Sequence, residues 1–226
     1  MSSATPTVRA KYREIYELLV ETYGEPQRRR YQPPVDQLVN TILSQQTTSA
    51  NREQAFQRLK ERFAEWEAVM DAPLEEVREA IRPAGLANQK APRIQNALRY
   101  IMRERGELSL DFLADCTVSE AKAWLTEIKG VGPKTASIIL LFTFGLPAFP
   151  VDTHVHRVSG RLGLIGPKVT ADKAHDILEN IVEPDEYYPF HINLIRHGRE
   201  ICKARTPRCH ICPLQDHCDY YQRNRA

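Results

Sequence analysis

An all-α fold is predicted by three features of the sequence. Apolar residues recur at helical spacing along most of its length, no stretch alternates apolar and polar residues as a strand does, and proline and glycine cut the periodic stretches short. Val8, Tyr12, Ile15, Leu18 and Leu19 form the first stripe, and Val35, Leu38, Val39, Ile42 and Leu43 the second, after the Pro33-Pro34 break. Ala55, Phe56, Leu59 and Phe63 continue the pattern. Asp71 with Pro73 opens a further helix that stops near Gly85. Ile94, Ala97, Leu98, Ile101 and Met102 mark the next, ended by Gly106, and Ala121, Trp124, Leu125 and Ile128 lead into a glycine turn. Ala174, Ile177, Leu178 and Ile181 follow Thr170. The expectation is a bundle of many short helices, without internal repeats or low-complexity tracts.

At 226 residues, 42% hydrophobic and 27% charged, the chain can bury one large or two small cores. No apolar run is long enough to span a bilayer, and Met1-Ser2-Ser3-Ala4-Thr5 does not begin a signal peptide. A cytoplasmic protein is expected, nucleoid-associated if the source is bacterial. No heptad or exposed apolar stripe argues for self-association, so a monomer is expected. The net charge of +2 does not announce a nucleic-acid partner, but charge is unevenly placed. From Arg196 to Ala226 seven Lys/Arg face three Asp/Glu, and Arg28-Arg29-Arg30 forms a second basic spot. Local patches of this kind bind phosphate even when the total is near neutral.

Five cysteines are present, four of them in a C-x6-C-x2-C-x5-C array: Cys202, Cys209, Cys212 and Cys218. A chain without export signals is a poor setting for disulfides, and Cys116 would be left over. Thiolates this crowded need a metal centre to offset their charge. Spacing alone suits zinc and a [4Fe–4S] cluster equally. Lys203, Arg205 and Arg208 lie inside the array, where they balance the centre's charge or face a nucleic acid. Cys116 reads as a small buried hydrophobe.

The stretch Ile128-Lys129-Gly130-Val131-Gly132-Pro133-Lys134-Thr135-Ala136 carries the main chemical signal. Gly130 and Gly132 permit backbone angles that other residues resist, and Pro133 suits the first helical position. The helix start behind them offers amides to an anion such as a DNA phosphate. Lys134 precedes Ile138-Ile139-Leu140-Leu141-Phe142, where desolvation would favour a neutral, nucleophilic amine. Taken singly, Gly-x-Gly before a helix is more often an ordinary turn, and a lysine near a helix start is usually a solvated surface residue. Asp152, in Phe149-Pro150-Val151-Asp152-Thr153-His154, has the sequence position of a helix N-cap, a role compatible with general acid–base chemistry. His154 and His156 are two apart and share no helical face, which argues against a two-histidine metal site.

With these residues in hand, the chain resembles the endonuclease III family of helix-hairpin-helix DNA glycosylases. Five segments carry the resemblance, in order: Leu43-Ser44-Gln45-Gln46-Thr47; Gly85-Leu86 with Lys90-Ala91; the hairpin with Lys134; Val151-Asp152-Thr153-His154; and His197-Gly198-Arg199 with Cys202, Cys209, Cys212 and Cys218. The resemblance implies two helical domains flanking a DNA-binding cleft: residues 27–146 with the hairpin, and residues 1–26 with 147–226 holding the cysteines. It implies a [4Fe–4S] cluster on the four cysteines and Lys134 and Asp152 as catalytic residues. Gln46 would fill the gap left by an extruded nucleotide and Leu86 would wedge the opposite strand, whereas by local pattern alone Leu86 reads as core and Gln46 as solvated. Lys129, Gly130, Val131, Gly132 and His154 complete the expected DNA contacts. Lys129 stands where the family usually has proline, and Gln45 where it commonly has a small residue. Both departures bear on substrate preference.

The function implied is that of a bifunctional DNA glycosylase and AP lyase acting on double-stranded DNA with damaged or abasic sites, oxidised pyrimidines foremost. A monofunctional mismatch glycosylase and a weakly catalytic damage-binding protein are the rival readings, the first disfavoured by the presence of Lys134.

Overall fold

The computed structural model describes residues 6–27 and 32–224. It is 71% helical and has no strand among the described residues, so the all-α expectation holds. Among those residues no helix is long and apolar enough to cross a membrane. The basic run Arg28-Arg29-Arg30 lies outside the described residues. The chain forms two compact units, one of Arg30–Leu146 and one of Met1–Arg29 with Pro147–Ala226.

The first unit carries the hairpin. Its central helix, α2 (Pro34–Leu43), buries Val35, Leu38, Val39, Ile42 and Leu43 against α3 (Ser49–Arg62), α6 (Ala87–Arg105) and α8 (Pro133–Ile139). Two short helices, α4 (Trp66–Asp71) and α5 (Leu74–Ile81), pack on α6. Asp71 therefore closes one helix instead of opening the next. Pro73 occupies the N-cap of α5, whose first turn holds Glu75 and Glu76 where the helix dipole favours them. The end of α6 agrees with the sequence: Gly106 takes φ 76° and returns its amide to Met102 O at 2.8 Å. α7 (Val118–Glu127) starts with a reciprocal capping box between Thr117 and Glu120, and leads through the hairpin into α8. Residues Leu140–Phe144 continue α8 as a π-helical turn ended by left-handed Gly145.

The second unit is built on α11 (Tyr187–Glu200), against which α1 (Pro6–Tyr23) and α9 (Thr153–Leu162) pack, with α10 (Ala171–Glu179) and α12 (Asp219–Arg223) on α9. Its core contains Tyr12, Ile15, Leu19, Phe149, Phe190 and Leu194, with Phe190 edge-on to Tyr12 at 5.1 Å. α11 lacks a clean apolar stripe because His191, Asn193 and His197 occupy buried positions on it, each with hydrogen-bond partners inside the unit. Buried Asn193, for example, donates to Gly24 O at 3.0 Å and holds the end of α1.

Candidate active site and metal centre

The hairpin turn closes through Val131 N donating to Ile128 O at 2.9 Å. Val131's side chain is buried and its amide is used within the turn, so it shapes the turn. Gly130 has φ +95°, and a Cβ there would stand 3.2 Å from Arg93 Cδ. Gly132 differs from expectation. Its φ of −99° is open to any residue, and nothing within 4 Å would meet a Cβ. Only Gly130 is required by conformation. Gly130→Ala is expected to cost about 1–3 kcal/mol in thermal unfolding, from left-handed strain and the Arg93 contact, and to weaken duplex binding with it.

Lys134 sits in the first turn of α8, exposed, beside exposed Lys129 and Gly130. The protein does not bury Lys134, contrary to the expectation from the apolar run that follows. That run is buried at Ile139, Leu140 and Leu141, while Lys134 stands in the exposed first turn of the helix, next to exposed Gly132 and Pro133. Any drying of this amine has to come from a bound substrate.

Gln46 and Leu86 are the non-glycine residues with positive φ among the described residues, at 50° and 52°. A left-handed leucine is uncommon and carries strain, a signature that clusters at binding sites. Leu86 is also 42% exposed, which overturns its reading as a core residue, while Gln46 is exposed as expected. Gln45 accepts from Arg93 Nη1 at 2.9 Å.

Asp152 is the N-cap of α9, its Oδ1 accepting from the amides of His154 and Val155, each at 2.8 Å. Its approach is pinned from the core. His191 Nδ1 lies 2.9 Å from Pro150 O, His175 Nδ1 lies 2.8 Å from Phe149 O, and Phe149 N donates to Glu179 at 2.8 Å. His154 is half-buried, its Nδ1 3.1 Å from Arg157 Nη2, and burial lowers its pKa. Gly198 of α11 lets these two approach, since a Cβ there would stand 3.1 Å from both Arg157 Nη2 and His154 Cβ.

Further along α9 lie two residues that local reading missed. Arg157 donates to Gly198 O at 2.9 Å and Cys202 O at 3.1 Å. Arg161 donates to Cys202 Sγ at 3.3 Å and to the carbonyls of Lys203 and Ala204, each at 2.8 Å, while lying over the ring of Tyr220. Nothing in their local pattern marks them, because the carbonyls they hold are some 40 residues away.

Cys202, Cys209, Cys212 and Cys218 line a single cavity together with Leu162 and His197. Short helical turns at Cys209–Ile211 and Gln215–His217 aim the sulfurs inward, while Lys203, Arg205 and Arg208 are exposed. His197 Nε2 lies 3.6 Å from Cys212 Sγ and its Nδ1 3.0 Å from Tyr23 Oη. Burial pushes Cys212 up to about 11 and raises Cys218, so a metal centre is needed to hold these groups as thiolates at neutral pH. Among the described residues no three His, Cys, Asp or Glu are grouped as around one ion. Four cysteines on one cavity supply the number of thiolates that a [4Fe–4S] cluster takes, one per iron. Cys116 is half-buried, less so than expected, with its Sγ 3.5 Å from Phe112 O. Cys212→Ser is expected to lower bound iron from about four per chain to well under one and abolish visible absorbance, as read by iron assay and spectroscopy.

The paired helices, the hairpin and the cysteine loop define a class. Residues 39–184 match the model of the HhH-GPD superfamily of base excision DNA repair proteins, and residues 202–218 that of the iron–sulfur binding domain of endonuclease III. The chain is 33% identical to endonuclease III of Thermotoga maritima over 198 residues, 88% of each chain. To endonuclease III of Sulfolobus acidocaldarius it is 35% identical over 189 residues, 83% of this chain and 82% of that one. A solved trapped endonuclease III–DNA covalent intermediate superposes with TM-score 0.81 at 29% identity, covering 96% of this chain and 99% of the other. A thermostable thymine-DNA glycosylase shares the fold, with TM-score 0.80 at 21% identity over 96% of this chain and 99% of that one.

The chain belongs to the endonuclease III family. It is a DNA-binding base excision repair glycosylase with AP lyase activity and carries a [4Fe–4S] cluster.

Proposed function

We propose that the protein removes oxidised pyrimidines from duplex DNA, acts as a monomer in the cytoplasm, and cuts the strand at the resulting site. The observation that carries this reading is Lys134: an exposed primary amine in the first turn of the helix behind the hairpin. The damaged nucleotide is extruded, Gln46 takes its place and Leu86 wedges the other strand, offsetting the few kcal/mol lost in unstacking. Lys129 with the turn Gly130-Val131-Gly132 grips a backbone phosphate, and open space at Gly132 lets the phosphate come close. His154 adds a further contact to DNA.

Lys134 Nζ attacks the sugar C1′ as its bond to the base breaks, and the base leaves with the bonding electrons and takes up a proton. Asp152 stabilises the cationic sugar and moves the proton from the amine. The sugar ring then opens as the C1′–O4′ bond breaks and O4′ takes up a proton, giving an iminium that acidifies the C2′ hydrogen; loss of that hydrogen expels the 3′ phosphate by β-elimination, leaving the enzyme linked to the sugar until water releases it. Cys202, Cys209, Cys212 and Cys218 hold the cluster, one thiolate per iron, and its chemistry when bound is structural or one-electron transfer.

Borohydride trapping tests the reading, on a duplex with one oxidised pyrimidine and on an abasic duplex. A covalent adduct on both is expected. An adduct on the abasic duplex alone keeps the lyase step and moves the substrate to other damaged bases. No adduct on either, with the cluster intact, overturns the reading, and base release without nicking would identify a monofunctional enzyme.

A further inference from the structure

Lys90 is buried, with 1% of its surface exposed, and the chemistry above leaves it without a role. Burial lowers its pKa, and the charge of Arg93 adds to the effect. An ammonium inside a protein core is costly unless it is fully hydrogen-bonded. Both of its hydrogen bonds go to main-chain carbonyls, Leu43 O and Ala84 O, each at 2.8 Å.

Those two carbonyls are distinctive. Leu43 is the last residue of α2, and Ala84 the last of the short helical turn Arg82–Ala84. Helix C-termini leave carbonyls without intrahelical partners and carry the negative end of the dipole, so one cation here caps two helical ends at once. Three residues after Leu43 comes Gln46, and two after Ala84 comes Leu86, the strained left-handed pair. α6, which carries Lys90, begins immediately after Leu86. One turn further along it, Arg93 holds Gln45 at 2.9 Å.

We propose that Lys90 is a positioning residue that locks the two DNA-inserting loops into one rigid element, so that Gln46 and Leu86 enter the duplex together. The proposal rests on the reading of those two residues as inserted into DNA. An apolar residue of similar length at position 90 would fill the same volume, yet leave both carbonyls unpaired and the loops free to move separately.

The test uses the full cluster-loaded chain and a duplex carrying a tetrahydrofuran site, an abasic analogue that cannot react, with undamaged duplex as reference. Gln46→Ala and Leu86→Ala are made singly and together, in the native chain and in Lys90→Met. Each single change is expected to weaken tetrahydrofuran-duplex binding. Their effects in the native chain should depart from multiplicative by about threefold or more, the behaviour of coupled sites. Lys90→Met should keep the native circular dichroism and cluster absorbance, hold undamaged-duplex affinity within about twofold, and lose about tenfold of the preference for the tetrahydrofuran site. In that background the two loop effects should become multiplicative.

A folded Lys90→Met chain with native preference overturns the proposal. Multiplicative loop effects in the native chain overturn it too, and that cycle decides if Lys90→Met fails to fold. If neither loop change alters binding, the insertion reading falls and takes the proposal with it. If both alter binding independently of each other, the insertion reading stands and only the coupling is lost.

Discussion

Lys134→Ala is expected to abolish borohydride trapping and to reduce strand cleavage by at least ~10³-fold, the scale on which loss of a covalent nucleophile is felt. The effect should be confined to chemistry. Lys134 is exposed, and the helix that carries it is held by buried Thr135, Ala136 and Ile139 on its other side. Stability should change within about 0.5 kcal/mol, as for surface substitutions generally. Binding to a tetrahydrofuran duplex should survive, because the hairpin turn and the loops that carry Gln46 and Leu86 are untouched. Gel analysis of trapped and nicked products beside a thermal melt reads both expectations. A variant that kept both base release and cleavage would remove Lys134 from the mechanism.

Asp152 should separate stability from catalysis in a way Lys134 cannot. Its carboxylate caps α9 through two amides at 2.8 Å. Asn caps helices about as well as Asp, so Asp152→Asn should melt close to the native chain. Asp152→Ala should lose about 1 kcal/mol. Both should lower the single-turnover rate of base release by ~10²–10⁴-fold, since neither can accept a proton or stabilise a cationic sugar as a carboxylate does. Equal rates for Asn and native enzyme would reduce Asp152 to a cap. The two histidines and the glutamate around Phe149 and Pro150 explain why the carboxylate is held so firmly: the backbone leading to it is fastened from the core before the cap forms.

Some of this was legible in the sequence, and for identifiable reasons. The all-α class follows from local periodicity, which a reader of residues 3 and 4 apart can see. The cysteine array is legible because metal ligation demands chemical identity at fixed positions. The hairpin is legible at Gly130, where φ +95° requires what only glycine supplies cheaply. α11 is less legible, because His191, Asn193 and His197 take positions on its buried face that an apolar pattern would need. α4 is too short, at six residues, to display a period.

The sequence by itself determined which chemistries are available here: an amine behind a glycine turn, a carboxylate at a helix start, and four thiols within 17 residues. Tertiary structure decided how they are deployed. It left Lys134 in solvent, although the residues after it are apolar, because Lys134 stands in the exposed first turn of α8, ahead of the stretch that the core covers. It forced Gln46 and Leu86 into left-handed backbone and joined their loops through Lys90, from Leu43 to Ala84. It also set Arg157 and Arg161 against carbonyls more than 40 residues away. A buried cation or a strained turn persists only where distant groups supply its hydrogen bonds and packing, and those groups meet only once the chain has folded.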